Sequence, residues 1–293
     1  MSLVSFVHVQ RDTYDALREA IESSINLINF SFERTVSKIV IKPNMCYYYH
    51  PSTGQVTDPW FVGVLIDVLR KNFGEACKIS VVESDASAMR CKHAFGILGY
   101  EKLAEEKRVE LINLSEGESR IVEIESGDEQ FKFHVPELFY ESDLVVNVPK
   151  LKYMREVKVT CALKNMFGCN AYAKKSEYHR ALSEAIVGIN KIVRTGLVVF
   201  DGLIVSGRCT KRLGLVMSSE DPVAADAAAS SLMGINPKSV KHICLASHEG
   251  VGKSAFTPIG DFPFFKREFP KKTLKDKFRH AAASAYLRTF QKE

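Results

Sequence analysis

Residues 142–170 read SDLVVNVPKLKYMREVKVTCALKNMFGCN, and this stretch decides the fold. Within it, residues 144–148 form a short apolar run rich in β-branched side chains, which is typical of a strand buried on both faces of a sheet. Pro149 cannot donate a ladder hydrogen bond, so we predict that the strand ends there. Cations follow at the carboxyl end of the strand, and a helix is predicted over residues 156–167.

Short apolar runs of the same kind recur at residues 38–41, 79–82 and 197–200, and helical patterns separate them. Strands that alternate with helices predict an α/β fold with a mostly parallel, doubly wound sheet. Two further strand patterns, at residues 121–124 and 130–135, flank a turn-forming Gly-Asp pair. They predict a hairpin, which we interpret as a small antiparallel insertion.

Two helix starts are marked by an aspartate followed by proline, at Asp58-Pro59 and at Asp221-Pro222, and Thr57 is an alternative cap for the first. A side-chain carboxylate at the N-cap accepts a hydrogen bond from the first turn of a helix. Proline suits the first helical position because its fixed φ angle is already helical. We therefore predict that helices begin at Pro59 and at Pro222.

A chain of 293 residues is long enough to bury a large core. We expect one α/β domain over residues 1–263, or two lobes divided near residues 140–150. A basic tail over residues 264–293 follows, with an amphipathic helix expected over residues 273–291. Contact of this tail with nucleic acid or an anionic membrane is the disfavoured alternative to a solvated helix.

Composition excludes several classes of protein. No run of about 18 apolar residues occurs, so no membrane span is expected. The first residues lack a cationic region and a cleavage site, so we expect a cytoplasmic protein. The seven cysteines include no C-x-x-C pair, which argues against a locally ligated iron–sulfur cluster.

Polar side chains follow four of the predicted strands at their carboxyl ends. In parallel sheets, ligands bind beyond these ends, so we predict that the four groups meet at one functional rim. The groups are Lys42 with Asn44, Glu83 to Asp85, Lys150 with Lys152, and Asp201.

Lys164 is the first candidate for a catalytic group. It stands in a predicted helix among apolar neighbours, and a lysine that loses hydration has a lowered pKa and an available neutral amine. The alternative is a side chain whose apolar stem is buried while its ammonium stays in water. Asn165 would orient a carbonyl or phosphate, and Thr160 is expected one helical turn earlier on the same face.

The remaining candidates are charged groups and one histidine. Lys42, Lys150 and Lys152 suit a phosphate or carboxylate as point charges, unless they are simply solvated. The carboxylates Glu83, Asp85 and Asp201 suit a general base or a ligand of a hard cation such as Mg²⁺. Helix capping by Asp85 and turn formation by Asp201 are the structural alternatives. His179 is a candidate acid–base group or a plain polar contact.

A set of short motifs resembles one protein family. IKPN, TDP, VES, NVPKLK, ALKNMFGC, DG and DPVAADA stand in the order seen in the DUF362 family, over residues 37–255. These are uncharacterised prokaryotic proteins, often joined to ferredoxin-type iron–sulfur modules. The resemblance implies the fold and leaves the reaction open. It also makes an iron–sulfur protein a candidate partner.

The chain departs from the family pattern after NVPKL. The family usually has Lys-Thr-His there, whereas this chain has Lys152-Tyr153-Met154, so the imidazole is missing. The ferredoxin module is also missing from this sequence, so no iron–sulfur cluster is expected in this chain. More distantly, the order of elements resembles the lactate racemase family, whose lysine tethers a nickel pincer cofactor and whose histidine ligates the metal. On that resemblance, Lys164 and His179 would take those two places.

Two functions therefore compete at the level of sequence. The first is an enzyme that acts on a small anionic metabolite by proton transfer between lysine and carboxylate groups. The second is a non-catalytic partner or ligand-binding protein in an iron–sulfur or redox system. The first predicts a single pocket that contains these groups, and the second predicts an exposed apolar patch without them.

Overall fold

The computed structural model describes residues 1–33 and 35–272. Strands and helices are numbered separately in chain order. The strands are β1 (Ser2–His8), β2 (Lys38–Pro43), β3 (Lys78–Glu83), β4 (Glu110–Asn113), β5 (Ser119–Ser126), β6 (Glu129–Pro136), β7 (Leu144–Val148), β8 (Lys152–Met154), β9 (Lys158–Thr160), β10 (Leu197–Ser206), β11 (Thr210–Ser219) and β12 (Phe256–Gly260). The helices are α1 (Tyr14–Leu27), α2 (Pro59–Phe73), α3 (Cys91–Ile97), α4 (Tyr100–Lys107), α5 (Leu138–Glu141), α6 (Ala162–Met166), α7 (Leu182–Ile192), α8 (Pro222–Leu232), α9 (Lys241–His248) and α10 (Phe262–Glu268).

Within the described part of the chain, ten strands form one sheet. Its main path runs β12-β1-β11-β10-β7-β2-β3-β4, and β8 with β9 branches from β10. The neighbours from β10 to β4 are all parallel, whereas β11 is antiparallel to both β1 and β10. Strands β5 and β6 pair in a separate antiparallel sheet. The predicted α/β fold with a mostly parallel sheet and a small antiparallel unit is confirmed.

Helices cover both faces of the sheet. Because successive side chains of a strand point to opposite faces, neighbouring residues of one strand pack against different helices. In β2, Ile39 and Ile41 belong to the apolar cluster that contains residues of α1 and α2. Val40, between them, belongs to the cluster that contains residues of α6, α7 and α8. Each central strand is thus buried on both sides, as its continuous apolar sequence predicted.

The predicted helix caps are present. The Asp58 side chain accepts a hydrogen bond from the Trp60 N–H at 2.9 Å, and α2 starts at Pro59. The Asp221 side chain accepts from Val223 N–H at 2.9 Å, and α8 starts at Pro222. These local signals fix where two helices begin.

The predicted helix over residues 156–167 was wrong in its first half. The chain instead makes the β8–β9 hairpin, with Val157 and Val159 buried in the apolar cluster, and α6 starts only at Ala162. The buried Asp226 carboxylate fixes that start, because it accepts the N–H groups of Ala162 at 2.6 Å and Leu163 at 3.2 Å. Thr160 therefore lies on β9 and not one helical turn before Lys164.

Two further expectations concern the ends of the chain and the membrane. The helix expected over residues 273–291 lies outside the described residues. Among the helices that the structure describes, none is both long and apolar enough to cross a bilayer.

Candidate functional site

A cavity of about 410 Å³ opens beside the carboxyl ends of β2 and β3. Its wall is built from the segments after β2 and β3, the β8–β9 hairpin, α6 with the turn after it, and residues 175–179. Eight of the predicted site residues line it: Lys42, Asn44, Glu83, Lys152, Thr160, Lys164, Asn165 and His179. The structure thus brings together groups that are far apart in sequence.

Lys42 and Glu83 form a buried ion pair at the floor of the cavity. Lys42 Nζ lies 2.7 Å from Glu83 Oε2, and the side chains are 1% and 5% exposed. Lys42 Nζ also donates to the Pro43 carbonyl at 2.8 Å, and the other carboxylate oxygen accepts the Ser84 N–H at 3.0 Å. A Cβ added at Gly168 would lie 2.9 Å from Lys42 Cε, so glycine there permits this close packing.

A chain of side-chain amides orients the polar wall. Lys152 Nζ donates to Asn44 Oδ1 at 2.7 Å, and Asn44 Nδ2 donates to Asn165 Oδ1 at 3.0 Å. Asn165 Nδ2 then donates to Asn147 Oδ1 at 2.8 Å and to the Lys42 carbonyl at 3.0 Å. Since each donor has a defined acceptor, the position of the Lys152 ammonium is fixed before any ligand arrives.

Lys164 differs from the other lysines of the cavity. Its Nζ lies 4.8 Å from the centre of the Phe167 ring and, within the described residues, has no hydrogen-bond acceptor and no ion-pair partner. Burial and then the charge of Lys152 lower the pKa of Lys164 from 10.5 to about 8. At neutral pH about one amine in ten is therefore uncharged, far more than for an ordinary lysine.

Lys175 also belongs to this site, although no distinctive local pattern marks it in the sequence. It begins a 3₁₀ helix, Lys175–Ala181, and its ammonium donates to the Ser84 hydroxyl and, at 2.6 Å, to the Asp85 carbonyl. Burial is the main cause that lowers the pKa of Lys175 to about 8, and the charge of Lys42 contributes. In the sequence it stands in a polar loop after a second lysine, which is equally typical of a solvated turn.

Lys150 and Asp201 lie outside this cavity, contrary to the predicted rim. They form their own buried ion pair at 3.0 Å and line a different cavity together with Asp58. The Asp201 carboxylate also accepts the Asp58 N–H at 2.9 Å and the Leu203 N–H at 3.2 Å. The prediction failed because β10 continues to Ser206, so Asp201 lies within the strand and not at its end.

The other predicted groups have simpler surroundings. Asp85 accepts the Cys91 N–H at 2.8 Å at the start of α3 and pairs with Arg90 at 2.9 Å, so capping explains it. His179 is exposed at the edge of the cavity. The Thr160 hydroxyl is buried in the cavity wall and has no hydrogen-bond partner among the described residues.

The acidic groups of the site are few. Of the described residues that line the cavity, Glu83 is the only carboxylate, and Lys42 already neutralises it. The described residues contain no group of three or more His, Cys, Asp or Glu side chains placed to hold a metal ion. Four lysines face one carboxylate, so the cavity carries a formal charge of +3 (4 − 1).

Comparison with known proteins assigns the chain to a family. The model of the domain of unknown function DUF362 matches residues 39–231. The chain belongs to the DUF362 family. The resemblance seen in the sequence motifs is thereby confirmed, and the matched region contains every residue of the cavity wall named above.

Two more remote similarities accompany the family match. The thylakoid-associated protein sll1697 of Synechocystis sp. (strain ATCC 27184 / PCC 6803 / Kazusa) is 24% identical over 128 residues, which is 39% of this chain and 40% of that protein. The match thus spans about two fifths of the relative's length. The lactate racemase apoprotein from Thermoanaerobacterium thermosaccharolyticum is similar over 80% of this chain and 58% of its own, with a TM-score of 0.47 and 12% identity. At that TM-score the likeness carries no argument about function.

Proposed function

We propose that this DUF362 protein is an enzyme that binds a small carboxylate or phosphate compound and moves a proton to or from it. Lys164 and Glu83 are the proton-transfer groups of this proposal. The observation that carries it is the cavity in which four lysines face one carboxylate, with the amine of Lys164 left without an acceptor. An anion that enters would relieve the repulsion among these cations.

The surrounding groups have separate roles in this proposal. Lys152 and Lys175 act as anion-binding groups, because two hydrogen bonds to neutral oxygen atoms hold each of them in place. Burial lowers the pKa of both, and a bound anion would favour their charged forms. The free Thr160 hydroxyl is available to a ligand oxygen. Glu83 is held in place by Lys42 and lines the same cavity as Lys164, so it is positioned as the proton acceptor.

Exchange of substrate hydrogen for deuterium tests the proposal. The protein is incubated in D₂O with a panel of small carboxylates and phosphate esters, and proton NMR follows loss of the C–H signal next to the carboxylate or carbonyl group. We expect exchange with at least one compound, and its loss in Lys164→Met with an unchanged circular dichroism spectrum. Lys102→Met is the matched control, because Lys102 is exposed on α4, outside the cavity.

Unfolding of Lys164→Met would identify a structural lysine, and absence of exchange across the panel would contradict proton transfer.

The competing function, a non-catalytic partner of an iron–sulfur protein, is favoured by a different feature. Tyr47, Tyr48 and Tyr49 are exposed beside the cavity and offer an aromatic contact surface. That function leaves the lysine cavity unexplained, and stable co-purification with an iron–sulfur protein would support it.

A further inference from the structure

We infer that Lys164 is a nucleophile that forms an imine with the carbonyl carbon of an anionic carbonyl compound, a 2-oxo acid or a phosphorylated aldehyde or ketone. This inference rests on the proposed function and narrows its substrate class. It keeps Glu83 as the proton acceptor and gives Lys164 a covalent role in the same proton transfer. It stands on the geometry of the cavity, in which one amine is left unpaired while its three neighbours are engaged.

Of the four lysines that line the cavity, three have hydrogen-bond or ion-pair partners and one has none among the described residues. Lys42 is paired with Glu83, while Lys152 and Lys175 each donate to two oxygen atoms. Among the groups that the structure describes, the Lys164 ammonium has no hydrogen-bond or ion-pair partner and lies over the Phe167 ring, 4.8 Å from its centre. An ammonium is poorly compensated there, so deprotonation of Lys164 gives up no hydrogen bond or ion pair, whereas Lys175, whose pKa burial also lowers to about 8, is held by two hydrogen bonds.

The covalent step balances without an added reactant. The lone pair of the neutral Nζ attacks the carbonyl carbon, and the π electrons of the C=O bond move to oxygen, which takes up a proton. The two protons of the nitrogen end on that oxygen as the C=N bond forms, and the oxygen leaves as water, so the amine and the carbonyl compound give one imine and one water molecule. Thr160 has a free hydroxyl in the same cavity wall and can hydrogen-bond the carbonyl oxygen during the attack.

The remaining wall selects the substrate class. The ammonium groups of Lys152 and Lys175 flank the cavity that Lys164 enters, so the carbonyl compound should carry a negative group near its reacting carbon. Met45, Met89 and Met154 line the same space and accept an apolar portion. Once the imine has formed, the C–H beside it is acidified, and Glu83 remains as the carboxylate to receive that proton.

Reductive trapping tests the inference on the full chain. The protein is incubated with sodium cyanoborohydride together with one carbonyl compound at a time: pyruvate, glyoxylate, dihydroxyacetone phosphate or uncharged acetone. Peptide mass mapping then locates the adducts. We expect an adduct at Lys164 with an anionic carbonyl, in about hundredfold excess over exposed lysines, because far more of its amine is neutral. Trapping should level off above about pH 8. Lys164→Arg should abolish it, and Lys102→Met should leave it unchanged.

Binding of inorganic phosphate, measured by calorimetry, separates the possible failures. Phosphate binding without an adduct at Lys164 across the panel overturns the imine and leaves the anion site standing. Loss of both overturns the proposed function as well. Equal labelling of Lys164 and exposed lysines, or equal labelling by acetone, also overturns the inference, because neither the lowered pKa nor the cationic wall would then matter.

Discussion

Breaking the buried Lys42–Glu83 ion pair should lower the free energy of unfolding by more than breaking an exposed ion pair does. The atoms are 2.7 Å apart and almost fully shielded from water. Removing one partner of such a pair leaves an unpaired buried charge, which typically costs about 3–5 kcal/mol. Lys42 keeps its hydrogen bond to the Pro43 carbonyl, and Glu83 still accepts the N–H groups of Ser84 and Met45. We therefore expect the lower end, about 3 kcal/mol, for Lys42→Met and for Glu83→Gln.

A double-mutant cycle measures this directly. In Lys42→Met/Glu83→Gln no buried charge remains, so the double variant should lose about 2 kcal/mol less than the sum of the single variants. The free energy of unfolding is obtained from urea denaturation followed by circular dichroism. The matched control is the exposed pair Lys132–Glu123, at 2.8 Å on the β5–β6 hairpin, where no coupling should be detectable. Equal coupling in the two pairs would refute the reasoning.

Three further perturbations follow from the same contacts. Gly168→Ala should lower stability by about 1–3 kcal/mol, since its Cβ would lie 2.9 Å from Lys42 Cε; an unchanged melting temperature would contradict this. Burial raises the pKa of Asp226 from 3.8 to about 8, so its charged form is disfavoured in the fold and its contribution to stability should fall as pH rises from about 4 to 8. The neighbouring His242, whose pKa burial lowers from 6.5 to about 4, contributes in the opposite direction between those two values, so the wild type is compared with the variant at each pH. Asp226→Asn should flatten that fall in urea unfolding across pH, and an equally steep decline would argue against it. Lys175→Met should weaken phosphate binding about tenfold by calorimetry, whereas Lys150→Met should affect stability alone; similar losses of affinity would place both at the site.

The strands that build the site were predictable because their side chains are buried on both faces. Continuous apolar runs at β2, β3 and β7 marked both the strands and the edge beyond them, and this was enough to bring Lys42, Glu83 and Lys152 together. Asp201 misled because a polar residue within a strand looks the same in sequence as one at its end. Lys150, which follows the neighbouring strand β7, compensates the buried charge of Asp201, and the local sequence around Asp201 does not indicate this contact.

The start of α6 depended on a partner that is distant in sequence. Residues 156–160 contain alternating β-branched side chains, yet the deciding contact is the Asp226 carboxylate on α8, which holds the first N–H groups of α6. Lys175 was missed for a related reason. Its acceptors, Ser84 and the Asp85 carbonyl, follow β3, and no local pattern couples the two segments.

The acid–base titration of Lys164 tests the whole account most directly. Lysine labelled with ¹³C at Cε allows its resonance to be followed by NMR, with Lys164→Arg to assign the signal. We expect a midpoint at about pH 8 in the free protein, and an upward shift when phosphate is added, because an anion favours the charged amine. A midpoint near the ordinary value of 10.5 that phosphate does not move would mean a solvated lysine and no anion site around it.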